Sequence, residues 1–166
     1  IRVGSSYNPE VILFGPDGSE LARNTSSIIG IISATAPVTG TYTVLAGELF
    51  GHQTGGYGIT AVGQENTTPL PYGIETEGAI TVPGGEDVYS LPATTGDRLF
   101  IRMGGHYLPD PELELRSPTG TLLATNWSPG GYYKAELFVT ALETGTYRVI
   151  ARSHGISTHP YGIIAQ

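Results

Sequence analysis

The strongest constraint on this chain is that it contains itself twice, and the first time without its beginning. The block GPDGSELARN at 15–24 matches SPTGTLLATN at 117–126, APVTGTYTVLAG at 36–47 matches ALETGTYRVIAR at 141–152, and Tyr-Gly-Ile recurs at 57 and 161. Three blocks in one order mean two copies of one folding unit, with small insertions confined to surface connections. The stretch YGIETEGAITVPGGEDVYSLPATTGDRLF at 72–100 has no counterpart in the first copy.

The unit is built of strands. In DRLFIRM, period-two alternation sends Leu99, Ile101 and Met103 to one side; in ELELR it sends Leu113 and Leu115 one way and Glu112, Glu114 and Arg116 the other. Turn chemistry falls between the strands, at Pro83-Gly84-Gly85, Thr95-Gly96, Pro118-Thr119-Gly120, Pro129-Gly130-Gly131 and Thr144-Gly145. With 24 Gly, 12 Pro and 39% apolar residues, the composition fits short strands around a real core. About eight strands between 74 and 166 make one sandwich. Tyr42 and Tyr147 each follow a Thr-Gly turn, which predicts a buried ring whose hydroxyl ties down nearby backbone, as in a tyrosine corner.

The ordered set EDVYSL, GDRLFIRM, ELELRSPTGTLLA, ELFVTALETGTYRVIAR and YGI resembles the bacterial pre-peptidase C-terminal domain family, fully over 72–166 and partially over 1–62. The carrying motifs are Asp87-x-Tyr89, the Pro118-x-Gly120-x-x-x-Ala124 turn and the Thr-Gly-Thr-Tyr block. The resemblance implies an all-β protein of two tandem jelly-roll-like β-sandwich modules, the first lacking its N-terminal strands: 1–62 an incomplete module, 63–71 a linker, 72–166 a complete module. It also implies an extracellular or cell-surface location. Some relatives hold calcium through an acidic linker, but 63–71 offers one carboxylate, Glu65, so no metal and no cofactor is assigned.

A half-sandwich would expose apolar residues such as Val3, Val11 and Leu13 and leave strand edges unpaired. Outward positions that are charged in the second copy are also apolar in the first: Glu114 becomes Ile12, Arg116 becomes Phe14, Lys134 becomes Ile29 and Glu136 becomes Ile31. The face opposite a core is ordinarily polar, so Ile12, Phe14, Ile29, Ile31, Val3 and Val11 form an expected assembly interface. Three arrangements would cover it: upstream residues of a longer polypeptide, strands donated by a neighbouring subunit, or a reduced sandwich packed on the second module. Partners are then copies of the chain or adjoining modules.

Reaction chemistry is hard to find. Zero cysteines exclude disulfides and thiolate chemistry, and a charge of -7 with Lys134 as the one lysine argues against nucleic acid. No apolar run is long enough to insert in a membrane, and no signal peptide is present, so the sequence reads as a mature or trimmed soluble chain. His52, His106, His154 and His159 lie in loops without metal-ligand spacing and read as solvated, as do Glu112 and Glu114. No serine elbow occurs, and no catalytic residue is assigned. Trp127, Tyr132, Tyr133 and Tyr107 are candidates for stacking on polysaccharide, although Thr25 replaces Trp127 in the first copy. Asn24, Asn66 and Asn126 open N-x-S/T sequons and are candidate glycosylation sites, with turn formation as the plainer role. The expected function is a non-enzymatic secreted structural or adhesive protein that self-associates through its first module; the alternative is an accessory polysaccharide- or matrix-binding module of a larger hydrolase.

Overall fold

The structure, a computed structural model, describes residues 1–61, 67–105, 110–128 and 133–166. All regular elements among them are strands. The first copy supplies β1 (Arg2–Ser5), β2 (Pro9–Phe14), β3 (Glu20–Thr25), β4 (Ile29–Ile31), β5 (Thr43–Glu48) and β6 (Tyr57–Thr60). They form two three-stranded sheets, ordered β4-β1-β6 and β3-β2-β5. Val3 from one sheet and Val11 and Leu13 from the other meet Ile32 in a small core. Four buried side chains are few for a segment of this length.

The rest of the chain supplies β7 (Thr68–Pro69), β8 (Thr76–Ala79), β9 (Glu86–Ala93), β10 (Arg98–Gly104), β11 (Pro111–Arg116), β12 (Leu122–Trp127), β13 (Lys134–Thr140), β14 (Gly145–Ser153) and β15 (Pro160–Ala165). Sheets ordered β13-β10-β15-β8 and β12-β11-β14-β9-β7 enclose the larger core. Period-two alternation does the sorting: Leu99, Ile101 and Met103 from β10 meet Leu113 and Leu115 from β11 and Tyr147, Val149 and Ala151 from β14. Each fully buried Leu, Ile, Val or Met among them contributes about 1.5–3 kcal/mol. The described part of the segment read as a linker, 67–71, takes part in this sandwich, since Thr68 and Pro69 pair in parallel with Tyr89 and Ser90 and Leu70 enters the core.

The sequence copies coincide at the level of single bonds. The β2/β3 register pairs Leu13 with Ala22 and slips by one residue before Phe14; β11/β12 pairs Leu115 with Ala124 and slips before Arg116. Asn8 and Asp110 both take positive φ just ahead of β2 and β11, and their carbonyls accept the N–H groups of Leu49 and His154 at 3.1 and 2.8 Å. Tyr42 Oη donates to Val38 O at 2.6 Å and Tyr147 Oη to Glu143 O at 2.8 Å, so the expected tyrosine corner forms in each copy.

Of the three ways to cover the first copy, packing on the second is present in the structure. The Val82–Gly85 turn between β8 and β9 closes through Gly85 N–H to Val82 O at 2.9 Å, with Gly84 at a φ of 68°. Its Pro83 carbonyl lies so close to β1 and β6 that a Cβ on Gly4 or Gly58 would stand 2.6 or 2.4 Å from that oxygen. Those two glycines are therefore required by close backbone approach.

Candidate assembly interface

The Tyr-Gly-Ile repeat locates what the first sandwich lacks. In the second copy Tyr161 Oη donates to Asp87 Oδ2 at 2.6 Å and lies 2.8 Å from Tyr89 Oη, both on β9. Gly78 on β8 admits the ring, since a Cβ there would stand 2.5 Å from Tyr161 Cζ. Burial, then the bonds to Asp87 and Tyr89, pushes the Tyr161 pKa up, so the phenol remains a donor. The Asp87-x-Tyr89 pair is thus a lock for Tyr161. Tyr57 holds the same register position against β1 but has neither β8 nor β9 beside it. Tyr161 is 4% exposed and Tyr57 59%; Ile163 is 0% exposed and Ile59 43%.

Two sheet edges are open as a result. Among the described residues no strand pairs with the outer side of β5 or of β6, whereas their counterparts β14 and β15 pair with β9 and β8. Between the open edges lies a pocket of about 240 Å³ lined by Val3, Ser5, Tyr7, Ala46, Glu48 and Tyr57. Glu48 Oε2 accepts the N–H of His52 at 2.9 Å while its buried Oε1 has no partner. Desolvation raises the Glu48 pKa, but backbone N–H groups of the 50–53 turn outweigh it and hold the carboxyl below its ordinary value.

The six expected interface residues do not share one surface. Val3 and Val11 lie inside the small core, where they are closed off by the chain's own sheets. Ile12 and Phe14 alternate with core residues of β2, and Ile29 and Ile31 belong to the other sheet, so the two pairs face away from the core on opposite sides. Ile12 is nevertheless buried, Phe14 and Ile29 are half-buried, and Ile31 is exposed. Tyr57 and Ile59, the residues that mark the open edge, escaped sequence reasoning. Their repeat was visible, but the tyrosine lock that distinguishes the copies joins residues 74 positions apart.

Glu112 and Glu114 do not face solvent as expected. Arg152 Nη2 reaches Glu112 Oε1 and Glu114 Oε2 at 2.8 Å each, Arg152 Nη1 reaches Glu86 Oε2 at 3.4 Å, and Arg116 Nε pairs with Glu114. Burial disfavours the Arg152 charge, but the bonds to Glu112 and Glu114 more than restore it and its pKa is raised. Burial likewise opposes the Glu112 charge, and the contacts with Arg152 and His154 reverse that, holding its carboxyl below the ordinary value. This network lies on the outer face of β9, β11 and β14, which the first copy covers: Val88 and Ile150 are buried there and Arg2, 2% exposed, reaches the same region.

Trp127 stacks on His154 with ring centroids 4.0 Å apart and planes 13° apart, and His154 Nδ1 lies 2.9 Å from Glu112 Oε2. His154 is therefore not merely a solvated loop residue. The indole remains 43% exposed and Tyr133 is exposed; Tyr107, Tyr132 and His106 lie outside the described residues. Asn24 Oδ1 accepts the N–H of Ile31 at 3.2 Å and Asn126 Oδ1 that of Glu136 at 3.3 Å, so two sequon asparagines bridge neighbouring strands. Asn66 lies outside the described residues. Among the described residues no three His, Asp or Glu side chains are grouped to hold a metal ion.

No protein-family model matches this sequence, and no curated protein matches it. The solved structures to which the chain is similar include the following two. The pre-peptidase C-terminal domain of collagenase from Bacillus anthracis superposes with a TM-score of 0.54 at 14% identity, covering 64% of this chain and 100% of that one. PliG of Aeromonas hydrophila, a periplasmic inhibitor of g-type lysozyme, gives a TM-score of 0.45 at 15% identity, covering 61% of this chain and 96% of that one. The fold of this all-β chain is a β-sandwich like that of the collagenase's pre-peptidase C-terminal domain.

Proposed function

We propose that this chain is a non-enzymatic, secreted structural or adhesive protein of two tandem jelly-roll-like modules, and that it associates with copies of itself or with adjoining modules of a longer chain by adding a strand to the open side of the first module. The observation that carries the reading is the contrast between Tyr161, locked by β8 and β9, and Tyr57, which has the same backbone setting and neither strand. An unpaired edge bearing Tyr57 and Ile59 is a template for an incoming strand, whose main chain would bond to β6 or β5 while its apolar side chains fill the adjacent pocket. The family resemblance supports an extracellular or cell-surface setting for such a module.

Light scattering and negative-stain imaging of residues 1–166 across a concentration series test this, alongside Ile59→Lys, which puts a charge on the open edge. Defined oligomers or fibres that the variant no longer forms support strand addition. A parent that stays monomeric throughout the series, with the same melting temperature at every concentration, overturns it.

A second reading has its own observation. Trp127 is pinned on one face by His154 and remains half-exposed, the arrangement of a ring presented to a sugar. Affinity electrophoresis in polysaccharide-containing gels, with Trp127→Ala as control, tests an accessory glycan-binding role.

A further inference from the structure

Positive charge is scarce in this chain and unevenly placed. Of eight Lys and Arg residues, four (Arg2, Arg116, Arg148 and Arg152) stand where the two copies meet, against three carboxylates, Glu86, Glu112 and Glu114. The junction therefore carries a net charge of +1 in a chain of formal charge -7. A cleft of about 570 Å³ opens into it, walled by aliphatic side chains that include Ile32 and Leu13 from the first copy and Val88 and Ile150 from the second.

Charge is not balanced within the cleft. Arg152 takes all three glutamates, Arg116 shares Glu114, and Arg148 has no carboxylate partner among the described residues. Arg148 also lies directly opposite Arg116 on neighbouring strands, and both line the cleft. Like charges facing across a strand pair repel, and an anion between them would relieve the repulsion with charge-assisted hydrogen bonds. The rim adds a third element. Ser33, Ala34 and Thr35 border the cleft as exposed chain, and among the described residues they make no backbone hydrogen bond.

The geometry points to a docking site for an extended acidic segment of a partner polypeptide: a carboxylate between Arg116 and Arg148, an aliphatic side chain two residues away against Val88 and Ile150, and main chain alongside Ser33–Thr35. Spacing by two follows because alternate side chains of an extended chain share a face. A peptide fits better than a glycan because the apolar part of the lining is aliphatic and the cleft offers no aromatic ring on which a sugar could stack.

Isothermal titration of the 166-residue chain with the acetylated, amidated pentapeptide Thr-Glu-Thr-Val-Thr tests this, with the Thr-Gln-Thr-Val-Thr peptide as its uncharged twin. Saturable binding is expected, weaker by about tenfold or more for the Gln peptide and for Arg148→Gln, retained in Arg148→Lys, and weakened between about 50 and about 500 mM NaCl. Absence of saturable binding, or equal binding of both peptides by the parent, overturns the site without recourse to a variant. Binding of oligogalacturonate in place of the peptide, lost in Arg148→Gln, overturns the peptide assignment in favour of an acidic glycan.

Discussion

The guanidinium of Arg2 donates through Nη2 to the main-chain carbonyl of Ser153 at 3.2 Å, a buried hydrogen bond that joins the two copies across 151 positions of sequence. Its Nε is buried without a partner. Burial, and then the nearby charge of Arg152, lowers the Arg2 pKa despite the surrounding glutamates. A charge held this way contributes less than the stem that carries it.

Arg2→Met keeps the stem and is expected to leave stability within about 1 kcal/mol of the parent or above it. Arg2→Ala, which empties the junction, is expected to cost about 2–4 kcal/mol. Urea unfolding of the pair decides; a Met variant as unstable as the Ala variant would show that the charge, not the packing, holds the junction.

The two tyrosine corners differ in exposure rather than geometry. Tyr147 is fully buried and its Oη both donates to Glu143 O and accepts the N–H of Glu143 at 3.1 Å; Tyr42 makes the same two bonds to Val38 in a more open setting. Tyr147→Phe is expected to cost about 1–2 kcal/mol and Tyr42→Phe less than about 1 kcal/mol, because water can replace a bond only where it can reach. Equal losses in denaturant titrations would contradict this.

A Cβ on Gly58 would press on the Pro83 carbonyl, a backbone atom that cannot rotate away, whereas a Cβ on Gly56 would meet nothing within 4 Å. Gly58→Ala should therefore destabilise by about 1–3 kcal/mol and speed amide exchange at Gly84, while Gly56→Ala stays near neutral. Thermal melts and hydrogen exchange read both effects.

Acid should weaken the junction through Glu112. Its folded-state pKa lies below the ordinary carboxylate value of about 4.3, so its stabilisation is complete above that value and disappears as the pH falls through the folded pKa. Melting temperatures measured from pH 7 down to pH 3 should drop in this window, and Glu112→Gln should flatten that part of the curve while lowering stability at pH 7.

What the sequence determined by itself was local and periodic. Alternation placed Leu99, Ile101, Met103, Leu113 and Leu115 in one core, Gly and Pro marked the turns, and the Thr-Gly-Thr-Tyr block located both tyrosine corners, because each feature depends on neighbours within a few residues. The tertiary structure alone decided the rest. Glu114 reads as a solvent-facing strand residue, yet it is buried, because the first copy lies over that sheet face and Arg152 closes on it. Tyr57 reads like Tyr161, yet it is open, because the residues that would lock it belong to strands the first copy lacks. Alternation tells which side of a sheet a residue faces; whether that side is wet depends on what packs against it, and those contacts come from parts of the chain too distant for any local pattern to encode.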